Sequence, residues 1–168
     1  MTADILKQAG LFLLFIVAQV IFLGRIHLFN VATPLLYVYF VTMFPRNYPK
    51  WALLLWGFAM GLLIDTFFNT PGLASASMTL VAAVQPYILE LFVPRDSAEG
   101  LIPSLQTLGP SKYVAYQVIL VLLYCLLFYT LEIFNLSDLL NWALCIVGSA
   151  AVTLMLIFTF EIARGSQQ

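Results

Sequence analysis

Apolar residues run through this chain in blocks too long for strands, and the polar residues collect in the gaps between them. Six blocks stand out, at residues 5–24, 30–44, 51–68, 72–92, 113–134 and 139–162. A hydrocarbon core about 30 Å thick takes roughly 20 helical residues to cross. The pattern therefore predicts an all-α integral membrane protein, a single polytopic membrane domain over 1–168 with about six transmembrane helices. The second block is the short one. Pro34 suits the first turn of a helix and the break Pro45-Arg46-Asn47-Tyr48-Pro49-Lys50 ends it, so it either borrows residues from 29 onward or forms a tilted or partial span. The turn-formers Asn69-Thr70-Pro71-Gly72 separate the third and fourth blocks, and Pro86 is expected to kink the fourth unless a neighbour satisfies the carbonyl it frees. Residues 94–111 form the one long polar connection, with a stretch at 101–108 too short to cross. In the link 135–138, Ser137 or Asp138 is placed to cap the last helix.

Composition agrees. Of 168 residues, 62% are hydrophobic and 9% charged, and the mean hydropathy of +0.99 is too high for a water-soluble fold of this size. Six spans leave no room for a globular domain. The net charge of -1 matters less than where the charges fall. With the N-terminus inside, Lys7, Arg46, Lys50, Arg95, Lys112 and Arg164 lie on the cytoplasmic side and Arg25 alone lies outside. That asymmetry predicts both termini and the loop 94–111 in the cytoplasm. Lys7 before an apolar run imitates a signal peptide, but no small-x-small cleavage pattern follows, so the run reads as a retained first helix. No basic cluster points to nucleic acid.

The stretch from Gly57 through Gly61 to Asp65 puts two glycines and a carboxylate on one helical face. The glycines allow close approach of another backbone. Asp65 lies about 21 Å along its helix at 1.5 Å per residue. A carboxylate at such a depth costs about 2.5–3.5 kcal/mol on insertion scales, so it faces protein or a wet cavity rather than lipid. It either contacts a partner or substrate, or caps the turn 69–72 or pairs with a neighbouring helix. Arg25 and His27 are candidates to pair with Asp65, Glu132 or Asp138, or else snorkel to the interface. Gln19 and Gln85 read as interhelical hydrogen-bonding groups, Glu90 and Glu161 as solvated helix ends, and Cys125 and Cys145 as packing residues. Trp51, Tyr48 and Tyr113 flank inner boundaries as interfacial aromatics.

A single histidine and two cysteines without C-x-x-C spacing give no metal site, and no hydrolase, Walker or dinucleotide signature is present. The expectation is a non-enzymatic protein with no cofactor.

Small size, the uninterrupted apolar build, Gln19 in the first block, Pro34 opening the second, and Gly61-Leu-Leu-Ile-Asp65 followed by Gly72 and Ala76 together resemble the MreD family of rod shape-determining membrane proteins. The last pattern is similar to that family's Gly-x-x-x-Asp element, and the likeness covers nearly the whole chain. The resemblance implies a bacterial inner-membrane subunit of the cell-wall elongation complex. Its implied partner is MreC, with MreB, RodA and a peptidoglycan transpeptidase in the wider assembly. It also implies a fold similar to the substrate-binding component of energy-coupling-factor transporters. The alternative is therefore a membrane subunit that captures a small, vitamin-like molecule. Gly57, Gly61, Asp65, Gly72, Arg25 and Gln19 are the candidate packing or partner-contact residues.

Overall fold

A computed structural model describes residues 2–23, 33–94, 97, 100–132 and 139–165, and among these every regular element is helical. The chain forms α1 (Thr2–Val17), which continues as a π-helical stretch over Ala18–Leu23, then α2 (Val38–Thr42), α3 (Lys50–Phe68), α4 (Leu73–Phe92), α5 (Leu105–Leu108), α6 (Pro110–Glu132) and α7 (Leu139–Gly165). Four of them, α3, α4, α6 and α7, are long and apolar enough to cross a membrane. Their outward faces carry large apolar side chains: Leu55 is 64% exposed, Phe67 59%, Leu91 81% and Met155 73%. In water such a surface would aggregate; in lipid it is solvated. The chain is a multi-pass membrane protein.

Most predicted blocks become helices close to their expected limits. Pro110 occupies the first position of α6, where its missing N–H costs nothing. α4 runs on through Pro86 without ending. Within the loop, Ser104 and Thr107 form a reciprocal capping box around α5. The second block differs. Among its described residues only Val38–Thr42 is α-helical, and 33–37 is irregular or turn. It is the partial span that its length allowed. Rather than lying at the edge, it forms the centre of the molecule: Tyr37, Val38, Tyr39, Phe40, Val41 and Thr42 are all buried.

Two packing arrangements surround that centre. α3 and α4 form a tight antiparallel hairpin. α6 packs on α4 and α7, and the segment 33–44 threads between α6 and α7. Edge-on aromatic contacts among Phe12, Phe15, Phe40 and Trp56 fix α1 against the segment and α3.

Candidate functional site: a capped helical hairpin and a polar ladder

Among the described residues, most buried polar groups of this apolar molecule fall into two clusters. The first sits where α3 turns into α4. Asn69 ends α3 in the left-handed conformation (φ 56°), and its N–H and that of Thr70 both reach the Asp65 carbonyl. Gly72, at φ 87°, opens α4. The Asp65 side chain then crosses the turn: Oδ1 accepts from Ala74 N at 2.8 Å and Oδ2 from Ser75 N at 2.9 Å, while Thr70 Oγ1 donates to Oδ1 at 3.0 Å. Those amides belong to the first turn of α4, which lacks partners within its own helix. Asp65 is thus an N-cap supplied from a neighbouring helix, and the α4 dipole favours its negative charge. Of the two alternatives left open above, the geometry selects the cap.

The glycines explain how the carboxylate gets so close. A Cβ on Gly61 would lie 2.3 Å from Ser75 Cα and 2.6 Å from Ala74 O, so α3 touches α4 backbone to backbone there. Gly57, one turn away, is less tight: its Cβ would meet Ala82 Cβ at 3.0 Å and Met78 O at 3.2 Å. Gly72 is open in space and is needed for its positive φ alone. The three glycines and Asp65 therefore form one cluster. Gln19 belongs to another, and Arg25 and His27 lie outside the described residues, as does Asp138.

The second cluster lines the segment 33–44 like rungs. Thr33 N donates to Ser149 Oγ at 3.0 Å, and the hydroxyls of Thr33, Tyr129 and Ser149 form a chain. Gln19 donates through Nε2 to Pro34 O at 2.8 Å and accepts through Oε1 from Leu36 N at 3.2 Å. Leu35 N donates to Thr153 Oγ1 at 3.0 Å. The Tyr37 and Tyr124 hydroxyls bond to each other, and Tyr39 donates to Glu161. Farther on, Tyr116 donates to Thr42 O at 3.0 Å, Gln117 to Thr42 Oγ1 at 3.1 Å, and Gln85 both to Tyr116 at 2.9 Å and to Phe44 O at 3.4 Å. Irregular backbone is admissible at membrane depth only when protein groups replace the missing helical bonds. Side chains of the π-helical stretch, α6 and α7 do that here.

The rungs also measure the segment. From Thr33 to Leu35 it advances two residues while α7 advances four, from Ser149 to Thr153. Four helical residues rise about 6 Å, so this first part climbs at close to the rate of extended chain; from Leu36 the backbone turns into α2, and the Tyr39 side chain makes the remaining reach to Glu161. A short sequence thereby travels deep through the bundle.

Gln85 makes the interhelical bond expected of it, to Tyr116 on α6, whereas Gln19 bonds to the irregular backbone at Pro34 and Leu36. Glu161 corrects an expectation: rather than a solvated helix end, it is 4% exposed and set against Tyr39. Glu90 is exposed, as a helix end should be. Cys125 is buried and Cys145 half-buried, and both are free thiols. Among the described residues no group of three metal-ligating side chains comes together. Ser149, Thr153, Tyr129, Tyr124 and Gln117 were not singled out from sequence. A signal existed: Ser149, Thr153 and Glu161 fall on one face of α7 at multiples of four, and Tyr113, Gln117 and Tyr124 make a similar stripe on α6.

No protein-family model matches the chain, and no curated protein and no solved structure does so either.

Proposed function

We propose that this chain is a non-enzymatic, MreD-like scaffold subunit of a bacterial cell-wall elongation complex. In this reading it sits in the cytoplasmic membrane, binds MreC, and helps organise peptidoglycan synthesis with MreB, RodA and a transpeptidase. The observation that carries the reading is the fate of the Gly61-to-Asp65 element, on which the family resemblance chiefly rests. Its carboxylate is consumed in welding α3 to α4. The hairpin so fixed turns Leu55, Phe58, Leu62 and Phe67 outward. A rigid apolar face of that kind suits contact with another membrane helix rather than chemistry. In this reading α1 and the threaded segment supply two further passes beside the four long helices, which gives six crossings with both termini in the cytoplasm. The excess of Lys and Arg on one side sets the orientation.

The test is complementation. Expressed in rod-shaped cells depleted of their own MreD, the full chain is expected to restore rod shape and to carry MreC with it through detergent purification. Tags at its two ends should report the cytoplasm. A chain that inserts normally, leaves the cells round and recovers no MreC would overturn the proposal.

One observation favours the second reading, a small-molecule capture subunit. Broken helices inside a bundle are a recurrent feature of transport sites, and the segment 33–44 is one. Tyr37 and Tyr39 of that segment and Tyr124 of α6 are fully buried beside one another. A vitamin-like molecule found by mass spectrometry in the purified chain would favour capture over scaffolding.

A further inference from the structure

Beyond the scaffold reading, the break between the second and third blocks builds a pocket that shares only Gln85 with the two clusters. Asn47, at φ 64°, folds the chain back on itself between Pro45 and Pro49. The turn is pinned on both sides: Arg46 N donates to Leu101 O at 2.9 Å and Arg46 Nη1 to Ser97 Oγ at 3.0 Å, while Tyr48 donates to Gln8 Oε1 at 2.8 Å. α3 starts immediately after, with no side chain capping its N-terminus. Together with the last two turns of α4, these residues enclose a cavity of about 40 Å³. Arg46, Lys50 and Glu90 line it, over a floor that includes Gln85 and Leu53. That is room for a few waters or one compact ionic group, and Lys50 and Glu90, both exposed, leave space for a second group at the open side.

Three features say what kind of group. The first is charge. Two cations and one carboxylate share the lining, yet Lys50 is held by Tyr87, with Nζ 3.2 Å from its hydroxyl and 4.4 Å over its ring, and Arg46 is held by Ser97. Neither cation is spent on Glu90 by these contacts. The second is the free N-terminus of α3, whose dipole adds a third attraction for an anion. The third is the adjoining surface: Trp51 and Leu91, next in sequence to the lining residues Lys50 and Glu90, are 72% and 81% exposed, and Tyr87, in contact with Lys50, 59%, side chains that belong at the boundary between headgroups and hydrocarbon. A soluble anion has no use for such a surface, whereas acyl chains do.

We propose that this pocket binds the head group of an aminophospholipid from the adjoining leaflet. The phosphate lies between Arg46, Lys50 and the start of α3, and the primary ammonium on Glu90. Phosphate and ammonium together match all three charges of the lining. An anionic head group without an amine sets its phosphate against Glu90 unrelieved. A choline head group brings a cation with no N–H to donate to the carboxylate.

Native mass spectrometry of the full chain in detergent, offered phosphatidylethanolamine, phosphatidylglycerol and phosphatidylcholine of identical acyl chains, tests this. Phosphatidylethanolamine is expected to be retained above the other two. Lys50→Gln should lower its retention by about fivefold, the usual scale for one basic residue at a lipid surface, while Lys112→Gln, on another exposed cation of the same end, should not. Glu90→Gln should erase the preference for ethanolamine and raise phosphatidylglycerol. Because Glu90 is exposed, this variant keeps the fold and the proposal stays falsifiable even if Lys50→Gln does not fold. Equal retention of the three lipids, a Lys112→Gln loss equal to that of Lys50→Gln, or displacement of lipid by millimolar soluble phosphoethanolamine would each overturn it, the last by assigning the pocket to a free solute.

Discussion

The α3–α4 hairpin and the segment threaded between α6 and α7 both bury polar groups in an apolar molecule, and they do it differently. In the hairpin one carboxylate serves two backbone amides at a single point, and glycine lets the helices meet around it. Along the threaded segment the load is spread over many groups, apart from Glu161 all uncharged hydroxyls and amides drawn from several helices, each serving one or two positions. A single charged cap concentrates dependence on one residue. A ladder of mostly neutral rungs distributes it, since a typical neutral hydrogen bond contributes only about 0.5–1.5 kcal/mol net.

The sharpest way to break that contrast is Asp65→Leu. It strands the amides of Ala74 and Ser75, and buried donors without acceptors cost ~1–3 kcal/mol each. The expected loss is about 3 kcal/mol or more, read as a large fall in the unfolding midpoint in detergent micelles. Asp65→Asn, which keeps one acceptor oxygen, should lose roughly half as much. If Leu is tolerated as well as Asn, the cap is not what holds the hairpin.

Next in size comes Gly61→Ala, whose new Cβ meets Ser75 Cα at 2.3 Å. Forcing two backbones apart costs ~1–3 kcal/mol, and the effect should exceed that of Gly57→Ala. Gly10→Ala, which meets nothing within 4 Å, is the control; helix propensity alone gains it up to about 1 kcal/mol. Equal melting of the Gly61 and Gly10 variants would contradict the close approach.

The smallest effect is expected on the ladder. Tyr37→Phe leaves the Tyr124 hydroxyl without its partner and should cost about 1 kcal/mol. Adding Tyr124→Phe should cost little more, because the pair is removed as a unit. Additive losses would show that the two hydroxyls answer to different partners.

Much of the hairpin was legible in the sequence. Turn-formers at 69–72, glycines and a carboxylate four apart, and the high cost of exposing that carboxylate to lipid left few arrangements, and the cap was one of them. The ladder was not legible, for a physical reason. Apolar periodicity reports which residues face lipid, but an irregular segment buried on every side has no such face. Residues 33–44 therefore looked like an undersized helix. Their hydrogen-bond partners stand far along the chain; Thr33 and Ser149 are 116 residues apart. Glu161 is hidden from a reading of the pattern in the same way. Its place near a helix end suggested solvent, and only the packing of Tyr39 against it removes that solvent. The π-helical winding around Gln19 also leaves no mark in the residue pattern, although it lies where that side chain meets the segment.

The cap at the α3–α4 turn also constrains how the chain is made. When Asp65 first leaves the ribosome, the amides that will receive it lie nine and ten residues farther along the chain, still inside the exit tunnel. Released alone into lipid, α3 would carry a naked carboxylate into hydrocarbon. Held until α4 arrives, it enters already neutralised by that helix's first turn. The two spans are therefore expected to enter the bilayer as a pair, with a single side chain favouring their joint release.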